Sequence, residues 1–209
     1  MKVVSVNISK PRTVEWKGKE VTTGIFKEPV TGPIYLGETD VRDDHVIDRR
    51  YHGGVDKACY LYGLNHYPFW KAEYPHLQFD HGMFGENITV DMCEESEILI
   101  GNKYEVGGAT VQVVQPRQPC FKLGIKFGDQ GVLKKFIEKS FSGVYFRVLQ
   151  AGDINIGDEF RLLEADDQDV SVRDFFQLLY RKLEDEHKAE LIRAHPAIPE
   201  EMRQYLSSR

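Results

Sequence analysis

The sequence predicts a mostly β protein: a barrel of short strands with a few helices, followed by a small three-helix domain. Short runs of alternating or β-branched residues, separated by glycine and aspartate, recur before residue 166. After the acidic link at 164–169, apolar residues instead recur at helical spacing. Many short strands with few helices favour a closed or nearly closed barrel. We therefore expect two domains, residues 1–165 and 166–209.

The strands and helices of the first domain follow from periodicity and turn residues. Gly107 and Gly108 can take the positive φ angles of a tight hairpin turn. Leu133, Phe136 and Ile137 fall on one helical face, which predicts a helix at 131–140, and a second helix is expected at 65–74. The predicted strands cover residues 3–8, 58–62, 87–90, 104–114, 144–149 and 159–163.

The three predicted helices of the second domain each have a recognisable start or stop. Ser171 and Asp174 have the spacing of a capping box, and apolar residues follow at helical spacing. A helix at 187–195 is stopped by Pro196, and Pro199 opens the last helix. About 40 residues is near the lower limit for folding alone, so we expect this domain to pack on the barrel or on a partner.

Composition narrows the classes of partner and compartment. The 209 residues carry 27 basic and 33 acidic side chains, a net charge of −6, which argues against stable nucleic-acid binding and favours a small-molecule ligand. No apolar run is long enough to cross a membrane, and the amino terminus does not resemble a signal peptide, so we expect a cytoplasmic protein. The three cysteines match neither a disulfide framework nor a zinc pair.

The segment QPRQPCFKL, residues 115–123, places Cys120 where a strand-like run ends. Pro116 and Pro119 each fix φ and remove a backbone donor, so the chain is expected to leave the sheet here as a stiff loop. Arg117 and Lys122 flank the cysteine, and nearby cations favour the thiolate that acts as nucleophile or metal ligand. The alternative is a buried cysteine that acts as a small apolar residue, and the local sequence does not decide between them.

Two further segments contain candidate binding residues. Gly53 and Gly54 would let the backbone approach an anion such as a phosphate or a pterin group, with positive charge supplied by Arg49, Arg50, His52 and Lys57. The alternative is a hairpin turn with solvated charges. In the segment 81–90, Glu86 and Asn87 open a strand directly after a glycine, where they could face a ligand or cap a turn.

In combination these segments resemble the MOSC domain proteins, and within them the bacterial YiiM-like group. The resemblance rests on HGGVDKA (52–58), GENIT (85–89), QPRQPCFKL (115–123), and GVYFRVL (143–149) with GDINIGD (152–158), all in the family order. It covers nearly the whole chain and includes the helical tail. It implies a MOSC-type β-barrel followed by a three-helix domain.

The resemblance also implies a cofactor and its ligands. The family binds the molybdenum cofactor, a pterin with a dithiolene-bound metal and a phosphate, and Cys120 matches the family's metal ligand and would be the catalytic residue. A soft thiolate on a rigid loop suits such a metal. The cofactor-binding residues would include His52, Gly53, Gly54, Lys57, Glu86, Asn87, Arg117, Lys122 and Arg147.

Similar proteins reduce N-hydroxylated bases and related compounds as a detoxification. The expected partners are a small N-hydroxylated substrate and a separate electron-donating reductase, because the chain has no flavin, nicotinamide or iron–sulfur motif. An alternative is a sulfur or molybdenum-cofactor carrier that uses a Cys120 persulfide. A third interpretation is a scaffold whose helical tail recruits partners or makes a homodimer.

Overall fold

The computed structural model describes residues 1–49 and 52–208, so Arg50, one of the predicted sources of positive charge, lies outside the described residues. Twelve strands and six α-helices form within this part of the chain. The strands are β1 Val3–Ile8, β2 Arg12–Trp16, β3 Lys19–Thr23, β4 Glu28–Pro29, β5 Ile34–Leu36, β6 Cys59–Gly63, β7 Ile88–Val90, β8 Lys103–Val106, β9 Ala109–Pro116, β10 Val144–Gln150, β11 Gly152–Ile154 and β12 Arg161–Glu164. The helices are α1 Tyr67–Glu73, α2 Phe121–Phe127, α3 Gly131–Lys139, α4 Val172–Leu179, α5 Glu186–Ala194 and α6 Glu200–Ser207.

Eight strands form one sheet in the order β12-β8-β9-β10-β6-β7-β1-β4. Neighbours are antiparallel except for β6 and β7, which are parallel. The sheet curls so that the segment just before β12 meets the start of β1. There the Val3 N–H donates to the carbonyl of Asp158 at 2.8 Å, and the Phe160 N–H donates to the carbonyl of Met1 at 2.9 Å. The predicted mostly β fold with a nearly closed barrel is thus confirmed.

The predicted hairpin forms where expected, since Val106 pairs with Ala109 across Gly107 and Gly108. Five strands and one helix were not predicted from the sequence. They are β2, β3, β4, β5 and β11, and the helix α2 that begins directly after Cys120. Pro116 and Pro119 do not disturb helix α2, because both precede its first residue and the helix needs no backbone N–H donor from them.

The tail helices pack on the barrel. A continuous hydrophobic core joins barrel residues such as Val111 and Phe146 to tail residues such as Phe175, Ile192 and Leu206. A second, aromatic core lies under α1, α2 and α3, where Trp70, Tyr62, Phe84, Phe127 and Phe136 are fully buried. The division at residue 165 stays a prediction, but the core crosses it without a break.

Candidate functional site

Cys120 is the residue that precedes the first turn of α2. Its backbone is extended, with φ −119° and ψ 163°, and the helix that follows is anchored by the buried side chains of Leu123 and Phe127. Cys120 is partly exposed, whereas Cys59 and Cys93 are fully buried. Burial raises the pKa of both buried thiols above the ordinary value. Cys120 is therefore the thiol that a ligand can reach.

Cys120 lines a cleft that is formed by residues from several separate parts of the chain. Four cationic side chains line this cleft against two carboxylates, although the whole protein is acidic. The cleft is thus suited to an anionic ligand. The cations are Lys27, Lys57, Arg117 and Lys122, and the carboxylates are Asp44 and Asp48.

Arg117 is held rigidly in the wall of the cleft. It is 4% exposed, donates to the carbonyl of Phe84 at 2.5 Å, and lies over the ring of Tyr60 at 4.9 Å from its centroid. The Tyr60 hydroxyl in turn donates to the carbonyl of Ser142 at 2.9 Å. The guanidinium therefore supplies a fixed positive charge beside Cys120.

A buried ion pair between Lys27 and Asp44 forms another part of the wall. Asn87 supports it by donating to Asp44 at 2.9 Å, while its own side-chain oxygen accepts from the Tyr60 N–H at 3.3 Å. Burial lowers the pKa of Lys27. Burial alone would raise the pKa of Asp44, but the charge and hydrogen bond of Lys27 lower it overall. Asn87 lines the cleft, as predicted for a pocket residue, and its amide links Asp44 of this pair to the backbone of Tyr60.

His52 and Gly53 line the cleft beside these cations. Burial, followed by the charges of Arg117, Lys122 and Lys57, lowers the pKa of His52 to about 4, so its imidazole is neutral near pH 7. Gly53 needs its positive φ of 75°, and a Cβ there would lie 3.1 Å from Asp40 and Val46.

Three of the predicted residues lie elsewhere in the structure. Gly54 does not line the cleft, and its N–H donates to the carbonyl of Thr39 at 3.0 Å instead of facing an anion. Glu86 is fully buried behind the wall, where it accepts from the N–H groups of Gly82 and Phe84 at 2.8 and 2.9 Å. Arg147 also lies outside the cleft, because it pairs with Asp56. All three therefore shape the site without contacting its interior.

A second cleft adjoins the first one. The two share Cys120, Lys122, Lys57 and His52, and the second adds Gln118 and Phe121. Cys120 thus borders two adjoining clefts, of which the first also contains Lys27 and Arg117. Such an arrangement can bring two bound molecules to the same thiol.

The side chains around Cys120 decide which kind of metal group the cleft can hold. Among residues 1–49 and 52–208, no cluster of three or more His, Cys, Asp or Glu side chains is placed to hold a metal ion. A metal at Cys120 would therefore have to bring most of its ligands with it. The molybdenum cofactor does so, and the cations around the cleft match its phosphate. The residues present fit the group.

The site is a thiol that borders two clefts, between strand β9 and helix α2. This site and the family comparison together define the class of protein. The MOSC domain family model matches residues 48–161, so the chain belongs to the MOSC domain family. MOSC domains in general bind the molybdenum cofactor.

Within that family the chain is YiiM-like. The crystal structure of YiiM from Geobacillus stearothermophilus superimposes with a TM-score of 0.82 at 33% identity, covering 99% of this chain and 97% of that one. The uncharacterized protein YflK of Bacillus subtilis is 36% identical over 201 residues, which are 96% of this chain and 90% of YflK. A protein from Gibberella moniliformis named reductase is 36% identical over 151 residues, 70% of this chain but 27% of that longer protein.

Several residues of the cleft were not predicted from the sequence. Lys27 and Asp44 lie in segments without a recognised motif, and Tyr145 lies within the GVYFRVL segment but was not singled out. No helix of the described residues has the length and apolar character needed to cross a membrane.

Proposed function

We propose that the chain is a molybdenum-cofactor-dependent reductase of N-hydroxylated bases and related N-hydroxylated compounds. The reaction converts R–NH–OH, two electrons and two protons into R–NH2 and water. The observation that carries this proposal is the position of Cys120 at the border of two adjoining clefts, the first of which is lined by four cationic side chains. One cleft would hold the cofactor and the other would admit the substrate.

The residues of the cation-lined cleft would hold the cofactor as follows. The Cys120 thiolate would ligate the metal, and Lys57, Arg117 and Lys122 would face its phosphate and oxygen atoms. The bound cofactor supplies the two-electron redox chemistry that N–OH cleavage requires. Arg117 is pinned by its bond to Phe84, so it contributes a charge that needs no reorganisation on binding.

Two neighbouring groups are suited to handle protons and hydrogen bonds. Burial lowers the pKa of Lys57, so its ammonium gives up a proton more readily than that of an exposed lysine. His52 is neutral and can donate or accept a hydrogen bond at the leaving hydroxyl without adding charge. We assign Lys57 as a proton source and His52 as a hydrogen-bonding partner of the substrate.

The electrons would come from a separate reductase, because the sequence has no flavin, nicotinamide or iron–sulfur motif. The name of the Gibberella relative supports the reductive direction of the chemistry. The substrate class is supported by the resemblance to YiiM-like proteins.

The deciding experiment measures molybdenum and pterin in protein from a molybdenum-replete host. We expect both near one per chain in the wild type, loss of the metal in Cys120→Ser, and retention in the control Cys93→Ala, which removes a buried thiol outside the cleft. Reduction of an N-hydroxylated base, with electrons from a chemical donor, should follow the metal content.

The carrier alternative predicts a different result in the same samples. Mass spectrometry of the native wild type would then show one extra sulfur atom on Cys120, with neither metal nor pterin after reconstitution. That outcome would overturn the reductase proposal.

A further inference from the structure

We infer that Phe121 and Ile47 form an apolar platform that binds the flat face of a planar N-hydroxylated base beside Cys120. This inference rests on the proposed function and extends it, because it names the residues that would select planar substrates. Neither side chain belongs to the hydrophobic cores of the described residues.

Phe121 is exposed for a reason that the helix explains. It is the first residue of α2 and is 43% exposed, while Leu123 and Phe127 carry the buried face of the same helix. At 100° per residue the ring points away from that buried face. Its backbone is nevertheless fixed, because its carbonyl accepts from the side-chain amide of Gln130 at 3.0 Å. The ring therefore extends from a fixed backbone position, lines the same cleft as Cys120 and is open to a ligand.

Ile47 supplies the second apolar surface. It is 40% exposed and lines the cation-lined cleft together with Cys120. It also lines, with Phe121 and Lys122, a shallower groove that continues from the second cleft. The two apolar side chains therefore border the same entrance to the thiol.

The chemistry of this entrance favours a planar, uncharged base. An aromatic ring stacks on a base and an aliphatic side chain packs against its face. Gln118, an exposed residue that lines the second cleft, offers both a donor and an acceptor to the edge of a base. The surrounding lysines disfavour a cationic ligand but tolerate a neutral one. A small N-hydroxylated compound without a ring would use none of these contacts.

The test compares two substrates in cofactor-loaded, full-length protein. One is N-hydroxylated adenine, which is planar, and the other is N-hydroxyurea, which has no ring. For Phe121→Ala we expect KM for the base to rise about tenfold with kcat little changed, because one stacking contact is lost. KM for N-hydroxyurea should stay within about twofold, and Phe121→Tyr should restore the wild-type value for the base. Leu149→Ala, which removes another exposed apolar side chain, is the matched control and should change neither substrate.

Calorimetric binding of adenine to the same proteins separates this inference from the proposed function, because binding needs no turnover. Wild type that binds adenine about tenfold more tightly than Phe121→Ala, yet reduces nothing, would refute the reductase and keep the platform. Equal losses for both substrates would instead indicate that Phe121 acts on the cofactor or the fold and not on the base, and the platform would be wrong. Unchanged kinetics and binding in Phe121→Ala would also overturn it.

Discussion

The guanidinium of Arg147 and the carboxylate of Asp56 form an ion pair, with Nε donating to Oδ1 at 2.8 Å, that ties the turn carrying Lys57 to strand β10. The same guanidinium donates to the carbonyl of Ala197 at 3.4 Å, in the segment between α5 and α6. One arginine thus joins the cleft, the barrel and the helical tail. This relationship explains why the predicted cofactor ligand Arg147 lies outside the cleft.

Replacing Arg147 by alanine should therefore affect stability more than cofactor binding. We expect the free energy of unfolding to fall by about 1–2 kcal/mol, because charged hydrogen bonds at a partly exposed site are lost. Molybdenum content should remain close to wild type. Arg161→Ala, which breaks a more exposed pair with Glu105, serves as the control and should cost less. Loss of cofactor at unchanged stability would instead place Arg147 among the direct ligands.

Glu86 should also behave as a structural residue. Its carboxylate accepts from two backbone N–H groups and from the hydroxyls of Tyr67 and Thr89 at 2.6 and 3.0 Å. Glu86→Ala leaves these buried donors without an acceptor, so we expect a loss of about 3 kcal/mol in unfolding free energy. Glu86→Gln should cost less, since one amide oxygen still accepts. Denaturant titration measures both, and stability equal to wild type in Glu86→Ala would contradict this role.

His52 should report the charge of the cleft through its pKa. Folding lowers this pKa from 6.5 to about 4, so the unfolded chain takes up the proton first as the pH falls. The contribution of His52 to stability is therefore present above about pH 6.5 and is lost as the pH falls towards 4. His52→Asn should flatten the stability profile in that window, as measured by denaturation at several pH values.

Removal of one neighbouring cation should raise the same pKa. We expect the NMR titration of His52 to shift towards 6.5 in Lys122→Ala, because a repelling charge is gone. Pyrophosphate bound in the cleft of the wild type should shift it in the same direction. Lys134→Ala, at an 83% exposed side chain on α3, is the control and should leave the titration unchanged. A His52 titration insensitive to both pyrophosphate and Lys122→Ala would contradict a cation-lined anion site.

Thiol labelling should distinguish Cys120 from the other two cysteines. In native protein free of cofactor, iodoacetamide should modify one thiol per chain, because Cys59 and Cys93 are fully buried and burial raises their pKa values. All three should react after unfolding. Peptide mass spectrometry identifies the site, and native labelling of Cys59 at a comparable rate would show that the barrel opens.

Local features of the sequence determined much of the fold. The turn at Gly107 and Gly108 forms because glycine tolerates the required backbone angles, and both hydrogen bonds of the Ser171–Asp174 capping box are present. Hydrophobic periodicity located α3 and α4, and the ordered motifs around Cys120 indicated the family that the comparison confirms. These signals are readable because each depends on residues that are close together in the chain.

Only the tertiary structure decided how the site is built. Lys27 and Asp44 pair across 17 positions, and Arg147 reaches Asp56 across 91, so neither contact leaves a local pattern. Phe121 is exposed because of its position on helix α2, and this helix was not predicted from the sequence that follows Pro116 and Pro119. Motifs could indicate that Glu86 and Arg147 belong near the cleft, but not that they support its wall. Which side chains face a cavity depends on how distant segments of the chain pack together. The energy of that packing cannot be read from any short stretch of sequence.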